Sequence, residues 1–123
     1  MKKQILIVDD SPSVLAVLSD LISDLGYAVT SACNGQEAYT LVEKTKFNMI
    51  VTDLKMPVMD GVEFVKSAKQ LSNCKFVPIV MLSSEDDEAK IATARKAGVS
   101  SFMKKPINPG QFTAMLKIVL GAA

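Results

Sequence analysis

Short aliphatic runs alternate along this chain with segments whose apolar residues recur at the spacing of an amphipathic helix. The clearest runs are Gln4–Val8, 49–51 and 78–82, in which apolar residues follow one another directly. Such runs are typical of strands that are buried on both faces, as in a parallel sheet. We therefore expect an α/β protein in which helices cover both faces of a parallel sheet.

Five strand–helix units follow in order. We predict strands at Gln4–Val8 and Ala28–Ala32, a third strand within 47–52, and two more at 78–82 and 101–103. Cap and stop residues give the helix boundaries. The first helix is predicted between Ser11 and Gly26, the second from Asn34 to about Lys44, and the third from Gly61 to about Leu71. The fourth begins at the acidic run 85–88 and ends at Gly98, and the last begins in the segment 108–111. A length of 123 residues fits one domain with one core, so we expect a single domain over residues 1–123.

Charge and composition exclude several classes of function. The net charge of +1 gives no basic face for nucleic acid, and no apolar run approaches the roughly 20 residues that span a bilayer. The chain has no histidine, which excludes a Ser-His-Asp mechanism and a His-ligated zinc site. Cys33 and Cys74 lie far apart, as expected of free thiols in a reducing compartment. We expect a cytoplasmic, monomeric protein that binds neither membrane nor nucleic acid.

Polar residues gather where the predicted strands end. Asp9 and Asp10 follow the first strand, Asp53 the third, Ser83 the fourth and Lys105 the fifth. The carboxyl ends of parallel strands share one edge of the sheet, so these residues are expected to converge. Three neighbouring carboxylates repel one another unless a cation joins them, and an all-oxygen ligand set favours Mg²⁺. With a hydroxyl and an ammonium group nearby, the set predicts phosphoryl transfer onto Asp53.

The motifs together resemble the receiver domain of bacterial two-component response regulators. The motif residues are Ile-Leu-Ile-Val-Asp9-Asp10, Asp53-Leu-Lys-Met-Pro57-Val-Met-Asp60-Gly61, Pro-Ile-Val-Met-Leu-Ser83-Ser84 and Phe102-Met-Lys104-Lys105-Pro106. The resemblance extends from about residue 4 to 120. It implies a doubly wound, flavodoxin-like (βα)₅ fold with a five-stranded parallel sheet in the order 2-1-3-4-5. It also implies a signalling protein that catalyses only its own phosphorylation and dephosphorylation.

By the resemblance, Asp53 is the phosphoacceptor and takes its phosphoryl group from a sensor histidine kinase or a histidine phosphotransferase. Asp10, Asp53 and the backbone carbonyl of Lys55 would bind Mg²⁺ directly, and Asp9 would hold the ion through water. Lys105 would pair with the phosphate, and the peptide bond that follows it is commonly cis in the family.

Three further roles follow from the resemblance. Ser83 would donate its hydroxyl to the phosphate, and Phe102 would be the aromatic switch residue, although the family more often has Thr and Tyr at these positions. Phe102 lacks the hydroxyl that would anchor a tyrosine in one of its two positions. Lys55 and Glu85 are expected to form an ion pair over the site and to slow hydrolysis. The output would be the surface of the fourth helix, fifth strand and fifth helix.

Three other functions fit the sequence less well. A dehalogenase-type aspartyl phosphatase needs a second Asp two residues after the nucleophile, where this chain has Lys55. A flavodoxin-like FMN carrier needs a hydroxyl- and glycine-rich loop after the first strand, where this chain has Asp9-Asp10. A pseudo-receiver that only binds partners does not need the complete acidic set.

The kind of output stays open at this point. The chain ends just after the fifth predicted helix, so we expect no output domain. A stand-alone receiver resembles the CheY-like regulators of chemotaxis, whose target is a flagellar motor switch protein. A phosphorelay intermediate, a phosphate sink and an excised domain of a larger regulator are the alternatives.

Overall fold

The computed structural model describes residues 2–84 and 88–121, and it confirms the predicted architecture. The strands are β1 (Gln4–Val8), β2 (Ala28–Ala32), β3 (Met49–Asp53), β4 (Ile79–Ser83) and β5 (Ser101–Lys104). The helices are α1 (Pro12–Asp24), α2 (Gly35–Lys44), α3 (Gly61–Ala68), α4 (Glu88–Ala97) and α5 (Pro109–Leu120). All strand pairs are parallel, and the sheet order is β2-β1-β3-β4-β5.

The central strands are buried on both faces because successive side chains point to opposite sides of the sheet. In β1, Leu6 and Val8 belong to one apolar cluster, whereas Ile5 and Ile7 belong to the other. The first cluster is covered by α2, α3 and α4, and the second by α1 and α5. The continuous aliphatic runs therefore fill two cores, one on each face of the sheet.

Helices α1, α2, α3 and α5 begin where the sequence predicts, whereas residues 85–87 of the predicted acidic beginning of α4 lie outside the described residues. The side chains of Ser11, Asn34 and Asn108 each accept a hydrogen bond from the backbone N–H three residues later. The predicted capping box of α2 differs in one detail, because the carboxylate of Glu37 accepts from the N–H of Cys33 rather than that of Asn34.

The third helix is shorter than the sequence predicts and ends at Ala68 instead of about Leu71. The ammonium group of Lys69 donates to the carbonyls of Cys74 and Val77, at 3.0 and 2.7 Å. These bonds satisfy carbonyls of the turns after α3. The helix itself ends because the next backbone N–H groups, at 70 and 71, bond to carbonyls three residues earlier instead of four. Among the described residues, no helix has both the length and the apolar character to cross a bilayer.

Candidate functional site

Three carboxylates meet at the carboxyl edge of the sheet. Asp9 directly follows β1 and is only 1% exposed, while Asp10 beside it is exposed. Asp53 is the last residue of β3 and is 8% exposed. Carboxylate oxygens of all three lie within 4.8 Å of one another. The predicted convergence of Asp9, Asp10 and Asp53 is therefore present in the structure.

Lys105 connects two of these carboxylates. Its ammonium nitrogen lies 3.0 Å from Oδ2 of Asp9 and 3.2 Å from Oδ2 of Asp53. Its backbone N–H donates to the carbonyl of Ser83 at 3.0 Å, which fixes the loop after β5 against the end of β4. The peptide bond between Lys105 and Pro106 is cis, as the family resemblance implies.

The surroundings of the cluster raise the pKa values of both Asp53 and Lys105. Burial raises the pKa of Asp53 above its ordinary value, and the charge of Asp9 raises it further, while Lys105 acts in the opposite direction. Burial lowers the pKa of Lys105, but the hydrogen bond to Asp9 and the charges of Asp53 and Asp9 outweigh it, so the pKa is raised overall. The ammonium group therefore remains charged and compensates part of the negative charge of the cluster.

The backbone around Asp53 is tightly held. Oδ1 of Asp53 accepts from the N–H of Leu54 at 2.8 Å, and the Asp53 carbonyl accepts from the Thr52 hydroxyl at 3.0 Å. Gly61 lies so close that a Cβ placed on it would be 2.2 Å from the carbonyl oxygen of Asp53. The N–H of Gly61 also donates to the carbonyl of Leu54 at 2.8 Å. This close approach requires glycine at position 61.

The predicted switch residues lie on β4 and β5, the strands that follow β3 in the sheet. Ser83 ends β4 and is 5% exposed. Phe102 is half-buried on β5, and the Arg95 guanidinium of α4 lies 4.8 Å from the centre of its ring. A guanidinium over an aromatic ring is an attractive contact. Arg95 thus links Phe102 to α4 although the ring lacks the hydroxyl of tyrosine.

Lys55, the other predicted member of the site, is exposed in the loop after β3. Glu85, its expected partner, lies outside the described residues. Their proposed ion pair and its effect on hydrolysis therefore stay predictions.

Comparison with known proteins identifies the family. The sequence model of the response regulator receiver domain matches residues 5–117. The chain belongs to this receiver domain family. Chemotaxis protein CheY1 of Helicobacter pylori is 35% identical over 120 residues, which cover 96% of this chain and 97% of CheY1. The regulatory protein PhoP of Bacillus subtilis, which directs alkaline phosphatase synthesis, is 34% identical over 120 residues, but these cover 49% of PhoP.

Solved structures agree with the assignment. Chemotaxis protein CheY4 of Vibrio cholerae superposes with a TM-score of 0.92 and 38% identity, covering 98% of this chain and all of CheY4. The receiver domain of the histidine kinase PA1611 of Pseudomonas aeruginosa gives a TM-score of 0.90 at 25% identity, covering 99% of this chain and all of that domain. Receiver domains are signalling regulators rather than classical enzymes. This receiver domain therefore takes part in phosphorelay signal transduction, with histidine kinases and downstream proteins as the class of partner.

The sequence predicts the convergence of the charged groups, but it does not reveal two contacts of neighbouring residues. The close approach of Gly61 to Asp53 and the contact of Arg95 with Phe102 both depend on three-dimensional placement.

Proposed function

We propose that Asp53 is the phosphoacceptor of this receiver domain. The observation that carries this proposal is the position of the Lys105 ammonium group between the carboxylates of Asp9 and Asp53. A buried carboxylate with a cation at 3.2 Å suits a nucleophile whose product gains negative charge. The cation offsets that charge without having to move far.

Mg²⁺ is the cofactor that this donor set fits. The three clustered side chains supply only carboxylate oxygens, which are the ligands of hard cations. The related receiver domain of PA1611 has a magnesium ion coordinated in its active-site cleft. Asp10, Asp53 and the Lys55 carbonyl would hold the ion directly, and Asp9 would hold it through water. When bound, Mg²⁺ would neutralise charge on the carboxylates and on the incoming phosphoryl group.

Three side chains take part in the proposed phosphoryl transfer. A carboxylate oxygen of Asp53 forms the new bond to phosphorus while the phosphorus–nitrogen bond of the donor phosphohistidine breaks. The donor nitrogen leaves with the bonding electron pair. Lys105 pairs with one phosphoryl oxygen, and the hydroxyl of Ser83 donates to another.

The added charge provides the signal. A phosphoryl group brings about −1.5 to −2 charges and three strong acceptors to Asp53. Movement of Ser83 toward the phosphate would open space for Phe102 to turn inward and would alter the surface of α4, β5 and α5. Because Arg95 contacts the Phe102 ring, α4 should follow the ring. We assign the output to protein binding of the chemotaxis type, supported by the CheY relatives, with a flagellar motor switch protein as the candidate target.

The test is phosphorylation by a small donor. The protein is incubated with acetyl phosphate with and without Mg²⁺, and its intact mass is read at short times. We expect one added phosphoryl group that requires Mg²⁺ and is absent in Asp53→Asn. The Asp60→Asn variant is the matched control, because Asp60 caps α3 through its bond to the Glu63 N–H and Asn retains that acceptor.

A competent histidine kinase serves as a second donor. Lack of phosphorylation by both donors, with no detectable Mg²⁺ binding, would leave a receiver domain that signals by constitutive binding. Equal phosphorylation of Asp53→Asn would move the acceptor to another residue.

A further inference from the structure

Helices α3 and α4 enclose a groove that the chemistry at Asp53 does not use. Its upper section, with a volume of about 470 Å³, lies between Leu54, Val62 and Ala89. Its lower section, about 280 Å³, lies between Gln70 and Ala97. The two sections share Lys66 and Thr93 as lining residues, so they form one continuous groove, here called the α3–α4 groove.

One side of the groove is formed by α4, of which little is buried. Ala94 is the one residue of Glu88–Ala97 that is buried, and the side of α4 that lines the groove carries Ala89, Thr93 and Ala97. These side chains are short, and the Thr93 hydroxyl is already used, since it donates to the Ala89 carbonyl at 2.9 Å. Little side-chain volume from α4 therefore fills the space between the two helices.

Charge is distributed unevenly along the groove. Asp60 and Glu63 line the upper section together with Lys55 and Lys90, and each of these two lysines already makes another interaction. The lower section is lined by Lys66 and Lys96 and by no carboxylate. In residues 2–84 and 88–121, the ammonium groups of Lys66 and Lys96 have no hydrogen-bond or ion-pair partner.

This distribution indicates the chemistry of an occupant. Two exposed ammonium groups and the amide of Gln70 are donors that suit carboxylates, while Leu54, Val62 and Ala89 suit an apolar side chain. A nucleic acid fits less well, because its phosphates would meet the carboxylates of the upper section. The helix α4 of 10 residues is about 15 Å long, which an extended peptide covers with about five residues.

We propose that the α3–α4 groove docks an acidic peptide segment of a partner protein, with an apolar side chain in the upper section and carboxylates at Lys66 and Lys96. The groove begins at Leu54, directly after Asp53. Docking and modification of Asp53 should therefore influence each other, and the influence is reciprocal by thermodynamic necessity. The docking itself needs no phosphoryl group, so it is tested on the unmodified protein without metal.

The probe is a fluorescein-labelled peptide of sequence Leu-Ala-Glu-Glu-Asp-Glu, titrated with protein by fluorescence anisotropy. We expect Lys66→Glu/Lys96→Glu to weaken binding at least tenfold. The matched control is Lys44→Glu/Lys117→Glu, which makes the same charge change in the last turns of α2 and α5. Both substituted groove lysines also lie in last helical turns, so each double variant reverses the same favourable interaction with helix dipoles. The control should bind within twofold of wild type.

A second measurement does not depend on any variant. Addition of the peptide to ¹⁵N-labelled protein should shift the amide resonances of Thr93 and Ala97, and a peptide with Gln and Asn in place of its acids should not.

Several results would overturn the proposal. Equal weakening in both double variants would mean general charge attraction, and unchanged binding in the groove variant would place the peptide elsewhere. Resonance shifts confined to α1 or α5 would do the same. Displacement of the peptide by a lower concentration of single-stranded oligonucleotide would assign the groove to nucleic acid.

Discussion

Gly61 lies against the main chain of Asp53, and this contact permits a direct test of how the site is positioned. A Cβ at position 61 would lie 2.2 Å from the Asp53 carbonyl oxygen and 3.1 Å from Cα of Leu54. Backbone atoms cannot move aside as a flexible side chain can. We expect Gly61→Ala to lower the free energy of unfolding by about 2–3 kcal/mol, measured by urea denaturation. Phosphorylation of Asp53 should decline as well, since its backbone must shift.

Gly110 is the matched control for this substitution. It also lies at the beginning of a helix, but a Cβ there would meet only Oδ1 of Asn108, at 3.4 Å. Alanine has the higher helix propensity, so Gly110→Ala should leave stability unchanged or raise it by up to about 1 kcal/mol. Equal destabilisation of both variants would show that loss of glycine, rather than contact with Asp53, causes the effect.

The loop between β3 and α3 contains a strained turn. Val58 has φ +71°, and the N–H of Met59 donates to the carbonyl of Pro57 at 2.8 Å, which closes a γ-turn. The Met59 carbonyl in turn accepts from the N–H of Gly35 at 3.1 Å, so the loop is tied to the beginning of α2. A β-branched residue at positive φ is unfavourable, and the Val58 side chain is 81% exposed and gains little by burial.

Replacement of Val58 should therefore stabilise the protein. Asparagine adopts positive φ readily, so we expect Val58→Asn to raise the free energy of unfolding by about 1 kcal/mol in urea denaturation. Val58→Ile keeps the branched Cβ and should change stability by less than about 0.5 kcal/mol. A gain in both variants would attribute the effect to the exposed surface instead of the backbone.

The elements that the sequence predicts well are those fixed by local chemistry. The aliphatic run before Asp53 and the caps Ser11, Asn34 and Asn108 act over a few residues, and each has its predicted position. The predicted end of α3 was wrong because the backbone N–H groups at 70 and 71 bond to carbonyls three residues earlier, a change of pattern that the apolar spacing does not reveal. The turn at Val58 was missed because valine gives no signal of positive φ, which the tie between Met59 and Gly35 imposes.

The sequence predicts the charged residues of the candidate site better than the contacts made by the helices around it. Strand ends share one edge in any parallel sheet, so the convergence of Asp9, Asp53 and Lys105 follows once the strands are placed. The contact of Arg95 with Phe102 does not follow, because it depends on how α4 lies against β5. The same is true of the α3–α4 groove, because its size depends on how two helices lie beside each other.

The cluster of Asp9, Asp10 and Asp53 should link the stability of the whole protein to metal and pH. Burial, followed by the charge of Asp9, raises the pKa of Asp53 in the folded protein. Without metal the folded state then binds more protons than the unfolded chain, from about pH 4 up to the raised pKa. The free energy of unfolding should therefore fall as pH rises through this window.

Mg²⁺ should reverse this pH dependence. The ion binds the ionised carboxylates, so its stabilising effect grows as pH rises through the same window. At a Mg²⁺ concentration 100 times the Kd, the gain in unfolding free energy is about 2.7 kcal/mol. Urea denaturation over the pH series, with Mg²⁺ or with EDTA, measures both slopes. Asp53→Asn should lose the slope without metal and most of the gain with Mg²⁺, whereas Asp20→Asn on the exposed side of α1 should keep both. Parallel slopes with and without Mg²⁺ in the wild type would contradict metal binding at Asp53.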